Sequence, residues 1–449
     1  MKRTDFSVDW LFAACAPDTE LLPWNAQFTP VDLPHDWQIR HADDLYRDGT
    51  LFYRKYFFVT DVPGTRRMLW FGGAYMDTTV FVNGTEVGQW KYGYTSFWFD
   101  ITDALHEGQN EVLVRCNLRH PNSRWYSGAG LYRNVELWEA PDLHLMPDGL
   151  YVAAKEGDNG AWTVAVTAEA GSVTAASTGR TLTLHLTDDN GSLLGTAAIP
   201  ADAWAALPSL DGWRTGKETA IYKASHTFTL QDPALWDLDA PSFYHITAEL
   251  TGADGVTDTL TTRFGCRTIE ATPDCGLLVN HKRVLIKGVC IHHDFGCLGS
   301  AFEYSAAKRQ LEILKSMGVN SIRTGHTPPA PQFMDLADEM GILMDVESFD
   351  CWRSGKNPYD YGRFFDEWQE NVAAWIRRDR NHPSLLFWCI GNEIYDTHAG
   401  PEGADTMRML LAEVAAHDPA RNGIPTLGSN YMPWENTQHC ADIIKVAGY

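Results

Sequence analysis

The pattern of apolar residues changes at about residue 271, and this change constrains the fold more than any other feature of the sequence. Beyond it, short and nearly continuous apolar runs alternate with segments whose apolar residues recur at helical spacing. Such runs predict strands buried on both faces, as in a parallel sheet covered by helices. The repeated β-α units predict a (β/α)8 TIM barrel. The chain supplies six such strands, so we expect a barrel that is incomplete at about strand six: 284–289, 321–323, 342–344, 385–390, 425–428 and 443–446.

The first 270 residues alternate apolar and polar side chains with period two, which predicts antiparallel sheets. Asn83-Gly84 lies between two β-branched runs and predicts a tight hairpin. We expect a jelly-roll β-sandwich over residues 1–140, an immunoglobulin-like β-sandwich over 141–270 and the partial TIM barrel over 271–449. The second sandwich shows no grouping of reactive side chains, and we interpret it as a spacer.

The net charge excludes one class of partner. The chain has 58 acidic and 36 basic residues, a formal charge of −22, which repels phosphate backbones and argues against nucleic acid. The sequence contains no apolar run of about 18 residues, so no membrane span is expected. Asp5 and Asp9 precede a short apolar stretch, which argues against a signal peptide. Nine cysteines without a C-x-x-C pair predict reduced thiols and a cytoplasmic location.

Polar side chains follow four of the predicted parallel strands. In a barrel of this kind the functional groups lie at the carboxyl ends of the strands. The recurrence on four strands favours a site for a polar substrate over isolated surface residues. These groups are His292-His293-Asp294, Arg323 with His326, Glu347 with Asp350 and Cys351-Trp352, and Asn392-Glu393.

Glu393 is the sharpest catalytic candidate. It follows six apolar residues and a Gly-Asn pair, so its carboxyl is expected at the rim of a partly dry pocket. Burial raises the pKa of a carboxyl and lets it hold a proton near neutral pH, as a general acid requires. Taken alone, a glutamate at a strand end is equally well interpreted as a member of a salt bridge. Asn392 beside it is a candidate donor to a sugar hydroxyl.

A metal site is the alternative interpretation of the histidines. His292, His293 and Asp294, completed by His326 and Glu347, offer ligand types that zinc accepts. Adjacent residues on a strand point to opposite faces, however, which is poor spacing for two ligands. We therefore favour hydrogen-bonding histidines and expect no metal. The sequence has no P-loop, G-x-G-x-x-G or G-x-S-x-G motif, so no nucleotide cofactor is expected.

Several segments resemble glycoside hydrolase family two along the whole chain. In the amino-terminal region they are Leu33-Pro34-His35-Asp36-Trp37 and the segment from Arg124-Trp125-Tyr126-Ser127-Gly128 to Tyr132-Arg133-Asn134-Val135. In the barrel region they are Lys287-Gly288-Val289-Cys290-Ile291-His292-His293, Ile322-Arg323-Thr324-Gly325-His326-Thr327-Pro328-Pro329 and Gly391-Asn392-Glu393. The family's plan is a jelly roll, an immunoglobulin-like sandwich and a TIM barrel. The resemblance implies a retaining exo-β-glycosidase, in which two carboxylates lie about 5–5.5 Å apart.

The resemblance also implies roles for single residues. Glu393 matches the acid/base of the family, and Asn392 matches the residue that contacts the sugar 2-hydroxyl. The other implied substrate-binding residues are His292, His326, Arg323 near the nucleophile, Glu347, Asp350 and Trp352. Asp350 lies where some members have a magnesium ligand, but Trp352 replaces their nearby histidine, so neither magnesium nor sodium is expected. Val346 stands where the family usually has aspartate, with Asp345 adjacent.

The implied substrate is a terminal β-galactoside. The segments 364–368 and 377–383 are similar to bacterial β-galactosidases. A β-glucuronidase is the alternative; its asparagine–lysine motif would lie beyond residue 449. The implied partner is a β-linked oligosaccharide or glycoside, and family members are often homo-oligomers.

The resemblance places the nucleophilic glutamate beyond this chain. In the family it follows strand seven, whereas residues 447–449 resemble the end of strand six. Glu435 lies before strand six and is a poor substitute. Without a nucleophile, retaining hydrolysis loses its covalent step. We therefore expect a fragment of a longer hydrolase, with a catalytically dead carbohydrate-binding fragment as the alternative.

Overall fold

The computed structural model describes residues 1–41, 43–60, 64–173, 179–207, 218, 220–252 and 255–448. They form two antiparallel β-sandwiches followed by a parallel β/α region. None of the helices in these ranges is both long enough and apolar enough to span a membrane. Short 3₁₀ helices are Gln38–Arg40, Thr102–Ala104, Asp158–Gly160, Ala201–Ala203, Gly296–Leu298 and Tyr361–Glu367.

The first sandwich pairs a four-stranded sheet, β1-β10-β5-β8, with a six-stranded sheet, β3-β2-β4-β9-β6-β7. Asn83 and Gly84 both have positive φ, 49° and 79°, so the predicted hairpin between β6 and β7 is confirmed. The core between the sheets is rich in aromatic rings, including the fully buried Trp10. The strands are β1 Lys2–Asp5, β2 Trp10–Cys15, β3 Thr29–Val31, β4 Gly49–Val59, β5 Thr65–Phe71, β6 Thr78–Val82, β7 Thr85–Trp90, β8 Phe97–Asp100, β9 Gly108–Leu118 and β10 Val135–Pro141.

The second sandwich has two four-stranded antiparallel sheets, β11-β12-β16-β15 and β14-β13-β17-β18. Alternate residues such as Leu182, Leu184 and Leu186 are buried, as the period-two pattern predicts. The strands are β11 His144–Glu156, β12 Ala161–Ser172, β13 Thr181–Asp188, β14 Leu193–Pro200, β15 Ala205–Leu207, β16 Ala220–Gln231, β17 Tyr244–Gly252 and β18 Gly255–Phe264.

The third region begins with a small antiparallel sheet and continues as a parallel sheet in the order β22-β23-β24-β25-β26. Helices cover this sheet because their apolar faces pack against the buried strands. The strands are β19 Ile269–Thr272, β20 Gly276–Val279, β21 Lys282–Arg283, β22 Gly288–Ile291, β23 Ser321–Thr324, β24 Leu343–Glu347, β25 Leu385–Asn392 and β26 Ile424–Gly428. The helices are α1 Tyr304–Ser316, α2 Pro331–Met340, α3 Trp368–Asp379, α4 Asp396–Ala399, α5 Pro401–His417 and α6 Met432–Thr437.

The first parallel strand is shorter than predicted. Residues 284–287 lie outside it, and Leu285 and Ile286 are exposed rather than buried. The backbone of this segment is hydrogen-bonded by the side chain of Asn320 and not by a neighbouring strand. Asn320 donates to Leu285 O at 3.0 Å and accepts from Lys287 N at 2.7 Å. The apolar run therefore marks the approach to the strand and not a buried strand.

The predicted sixth strand, 443–446, is not a strand in the described part of the chain. A turn in which Ile443 N donates to Cys440 O, at 3.1 Å, delays the return of the chain to the sheet. A single parallel bridge then joins Gly448 to Gly428 beside β26. Tyr449, which the resemblance to the family places at the end of strand six, lies outside the described residues. An incomplete barrel stays a prediction.

Candidate functional site

The carboxyl ends of β22 to β25 bring the predicted site residues to one edge of the parallel sheet. His292 follows β22, Arg323 lies on β23, Glu347 ends β24 and Asn392 ends β25. Neighbouring strands are parallel and in register, as Cys290 opposite Arg323 and Glu347 opposite Cys389 show. Their last residues therefore share one edge.

Glu393 directly follows β25 in a left-handed backbone conformation, with φ of 46°. This conformation is uncommon for residues other than glycine. It is held by the backbone, because Glu393 N donates to Gly428 O at 2.7 Å. The side chain is 37% exposed. The strand end thus presents the carboxyl at the surface of the site.

Arg124 connects the first sandwich to this carboxyl. It lies in the loop between β9 and β10, and its Nη1 donates to Glu393 Oε2 at 2.8 Å. Its Nη2 and Nε donate to the two oxygens of Asp350 at 2.7 and 3.2 Å. Lys356 Nζ also donates to Asp350, at 3.0 Å, and Asn392 Nδ2 donates to the same carboxylate at 2.8 Å. One loop of another domain therefore joins Glu393 and Asp350.

The charges around Glu393 reverse the predicted direction of its pKa. Burial favours the protonated carboxyl, but the hydrogen bond and charge of Arg124 and the charge of Lys356 outweigh it and lower the pKa below its usual value. The predicted raised pKa of Glu393 is therefore wrong. The sequence shows the apolar strand before Glu393, but it does not show a cation from another domain.

The same contacts decide whether Asp350 suits a magnesium ion. Its carboxylate already accepts hydrogen bonds from Arg124, Lys356 and Asn392. Two cationic side chains at one carboxylate repel a further divalent cation. The residues around Asp350 therefore do not fit a magnesium ion. The pKa of Asp350 is lowered: burial raises it, and Arg124 and Lys356 outweigh that effect.

A second network lies beneath the first. Arg323 Nη2 donates to Asn392 Oδ1 at 2.7 Å and forms an ion pair with Glu347. Glu347 is fully buried and also bonds His326 Nδ1. Burial, aided by the charge of Glu347, raises the pKa of the neighbouring Asp345 to about 8. Glu347 is therefore placed to orient Arg323 and His326.

Trp125 forms an aromatic wall on the other side of the site. Its ring stacks on His292 with centroids 5.1 Å apart and meets the edge of His326 at 5.5 Å. His293 points away, with Nε2 3.0 Å from Ser127 O of the first sandwich, and burial lowers its pKa to about 4. The adjacent histidines thus face different partners, which is contrary to a shared metal ion.

Two features of the site differ from the sequence prediction. Trp352 is fully buried, and its indole donates to Ile390 O at 2.9 Å, so it supports β25 and has no exposed surface for a substrate. Arg124 and Lys356 contact the candidate acid network but were not among the predicted site residues. Arg124 belongs to one of the amino-terminal segments that resemble the family, and its place in that segment was the sequence signal for it.

Sequence profiles of two domains match this chain. The profile described as "Glycosyl hydrolases family 2, TIM barrel domain" matches residues 271–433, and the profile "Glycosyl hydrolases family 2" matches residues 148–267. The chain belongs to glycosyl hydrolase family 2. This membership confirms the plan of β-sandwich domains followed by a TIM-barrel domain.

Individual relatives agree with the family. The chain is 35% identical to "Beta-galactosidase BoGH2A" of Bacteroides ovatus, over 92% of this chain and 49% of that protein. It is 33% identical to a "Putative beta-glucuronidase" of Formosa agariphila, over 88% of this chain and 37% of that protein. A family 2 member from Bacteroides cellulosilyticus superposes with a TM-score of 0.89 at 29% identity, covering 100% of this chain and 58% of the other. The chain spans between 37% and 58% of the length of these three proteins.

Proposed function

We propose that this family 2 chain carries the acid/base of a retaining exo-β-glycosidase, with Glu393 in that role. The observation that supports this most is the position of Glu393. Its carboxyl projects from the end of β25 into a network with Arg124, Asn392 and Asp350, between buried strands and solvent. A general acid must reach a leaving oxygen and exchange protons with water, and a partly exposed carboxyl at this edge meets both requirements.

The contacts of Arg124 suggest how the acid is loaded. With Arg124 bound, Glu393 favours the ionised form. A proton on Glu393 and the hydrogen bond from Arg124 compete for the same carboxylate. We propose that substrate binding displaces Arg124 from Glu393 while Asp350 retains Lys356, which lets Glu393 take up the proton that it then donates to the leaving oxygen. In the second step the carboxylate removes a proton from water.

The nucleophile is proposed to come from outside residues 1–449. Retaining hydrolysis needs a second carboxylate about 5–5.5 Å from the first. Glu347 is fully buried and holds Arg323 and His326. Glu435 is also buried and accepts from Thr397 Oγ1 at 3.3 Å. Neither is exposed to a sugar ring, which agrees with the family's placement of the nucleophile after strand seven.

The proposed substrate is a terminal β-galactoside, which the name of the relative from Bacteroides ovatus supports. A β-glucuronide is the second candidate. Other relatives are named β-glucuronidases, and Arg124 offers a guanidinium that is 38% exposed and suits a sugar carboxylate.

The substitution Glu393→Gln tests the role of the acid. In a form of the protein that includes the proposed nucleophile, we expect turnover of a β-galactoside with a poor leaving group to fall by about 10²–10⁴-fold, because the amide has no proton to donate. Turnover of an activated aryl β-galactoside should fall less, and sugar binding should persist. Glu402→Gln, on the exposed start of α5, is the matched control.

Unchanged turnover in Glu393→Gln would remove Glu393 from the acid role. A preference for β-glucuronides in the unaltered protein would favour the second candidate. Binding of β-galactosides without any hydrolysis, in a form of the protein that includes the proposed nucleophile, would support a carbohydrate-binding role instead.

A further inference from the structure

A cavity of about 340 Å³ lies between the second sandwich and the amino-terminal end of the parallel sheet. Its lining includes residues of β11, the segment after β18 and the residues just before β25 and β26. It is therefore at the opposite end of the strands from Glu393, and the proposed glycosidase chemistry does not use it.

The charge of this cavity is opposite to that of the chain. The whole sequence carries −22. Yet Lys155, Arg267, Arg380 and Arg421 line the cavity, and so does His382, whose pKa is raised to about 9, against the effect of burial, by the Asp338 carboxylate. Two acidic side chains also line the cavity, Glu156 and Glu270, and His281 bonds both, at 2.6 and 3.3 Å.

The two inner arginines have no carboxylate partner within 4.0 Å among the described residues. Arg267 donates to the backbone carbonyls of Leu385 and Asn422. Arg380 donates to the carbonyls of His417 and Asp148, at 2.7 and 2.9 Å. Burial lowers the pKa of each to about 10. A buried guanidinium without a direct carboxylate partner is costly, and the more distant charges of Asp338 and Asp418 near Arg267 and of Glu169 near Arg380 offset only part of that cost. A bound anion would offset more of it.

Two buried polar atoms of residues that line the cavity have no hydrogen-bond partner among the described residues. Arg380 is 4% exposed, and its Nε has no hydrogen-bond partner in the part of the chain that the structure describes. The hydroxyl of Thr268, which also lines the cavity, has none there either. Buried donors of this kind are usually satisfied by protein, water or a ligand.

We propose that this cavity binds an oxyanion, namely a phosphate group carried on a small molecule. Arg267, Arg380 and Thr268 supply the inner donors, and the exposed Lys155 and Arg421 attract the anion at the rim. A cavity of 340 Å³ has room for more than the phosphate itself. A ligand there would also link the second sandwich to β25 and β26.

Thermal unfolding of the whole chain tests the proposal, with inorganic phosphate and glycerol 3-phosphate as probes and chloride at equal ionic strength as reference. A ligand that binds only the folded protein raises the midpoint with its concentration. We expect a saturable rise with both probes and none with chloride. The double substitution Lys155→Ala, Arg421→Ala should raise the phosphate concentration for half the effect by about tenfold.

The control is Arg353→Ala, at the other end of the sheet, where Arg353 pairs with Asp366 at 2.9 Å and is 54% exposed. It should leave the phosphate response unchanged. Arg267→Gln should abolish the response; if this variant does not fold, the rim variant still decides. Equal shifts in chloride, or equal phosphate responses in the rim variant and in Arg353→Ala, would overturn the proposal. A weaker response to glycerol 3-phosphate than to phosphate would overturn the part that concerns a larger molecule.

Discussion

The two β-sandwiches have similar architectures but contact opposite ends of the same parallel sheet. The first sandwich reaches the carboxyl ends of the strands, with Arg124 on Glu393 and Arg133 Nη2 donating to Pro328 O at 3.0 Å. The second reaches the amino-terminal ends, where Tyr151 donates to Asp418 at 2.7 Å and Asn381 donates to Leu150 O at 2.8 Å. The first sandwich therefore contributes side chains to the candidate site, whereas the second sandwich supports the sheet at the opposite end.

Helix α3 shows the same contrast within one element. Glu367, the residue just before α3, pairs with Lys91 of the first sandwich at 2.6 Å, and both side chains are about one-third exposed. Near its end, Arg377 pairs with Glu169 of the second sandwich, and both side chains are nearly buried. The buried pair has much less access to solvent screening, so the two contacts are expected to differ in energy.

The largest expected effect is on the support provided by the second sandwich. Glu169→Gln removes the buried carboxylate that pairs with Arg377, which costs about 3–5 kcal/mol of unfolding free energy. Denaturant unfolding measures this loss, and sugar affinity of the folded variant should be unchanged. If the folded Glu169→Gln variant lost sugar binding, the second sandwich would not be limited to supporting the sheet.

The pH dependence of this loss has a definite sign. Burial raises the pKa of Glu169, but the charge and hydrogen bonds of Arg377 outweigh it and lower the pKa below its usual value. The stabilisation is therefore present above the unfolded pKa, about 4.3, and lost as the pH falls through the lower folded value. The difference between wild type and Glu169→Gln should shrink in that acidic range.

The next effect concerns the wall that the first sandwich contributes. Trp125→Ala removes the ring that stacks on His292, and we expect sugar affinity to fall by about tenfold, close to 1.4 kcal/mol. Titration calorimetry with a β-galactoside measures it. Trp24→Ala is the matched control, because Trp24 belongs to the same sandwich and is 98% exposed. Equal affinities of the two variants would remove Trp125 from the site.

The pH dependence of Arg124→Gln tests whether the first sandwich controls the pKa of Glu393. Without Arg124 the pKa of Glu393 should rise, since the guanidinium holds it down against burial. A general acid works when protonated, so the alkaline limb of kcat/KM should move to higher pH, with little change at pH values well below both pKa values. The profile is measured in a form of the protein that hydrolyses an aryl β-glycoside. A limb that stays in place would show that Arg124 does not control Glu393.

The smallest effect is expected at the ion pair of Lys91 with Glu367, whose side chains are about one-third exposed. Lys91→Ala should change the unfolding free energy by about 0.2–1 kcal/mol, the range of solvent-screened ion pairs. Denaturant unfolding beside Glu169→Gln tests the contrast directly. Equal losses of unfolding free energy in the two variants would mean that burial does not make the Arg377–Glu169 ion pair stronger than the Lys91–Glu367 ion pair.

Much of the fold could be predicted because periodicity reports local burial. The two sandwich regions and the strands β23 to β26 follow from it. The strand predicted at 284–289 was partly wrong, because an apolar run does not show that Asn320 takes over the backbone of Leu285. The expected homo-oligomer and cytoplasmic location stay predictions.

The candidate site was less predictable because its contacts join distant parts of the chain. The structure brings together Asn392, Arg323 and Glu347 from neighbouring strands, as the parallel sheet requires. The direction of the pKa of Glu393 was wrong, since Arg124 is 269 residues away in sequence. The burial of Trp352 was missed for a related reason: a polar end of a strand does not show which side chain turns inward.

Asp36 of the first sandwich sets a limit on how the protein can be shortened. Its buried carboxylate accepts hydrogen bonds from Ala129 N, Tyr126 Oη and Ser300 N, at 3.0, 2.7 and 2.8 Å. Ser300 belongs to the β/α region, whereas the loop that carries Arg124 and Trp125 belongs to the first sandwich. One carboxylate therefore ties the loop to the sheet. A recombinant protein that begins after residue 140 would lose both the anchor and the loop, and would present its strand ends to solvent without a wall.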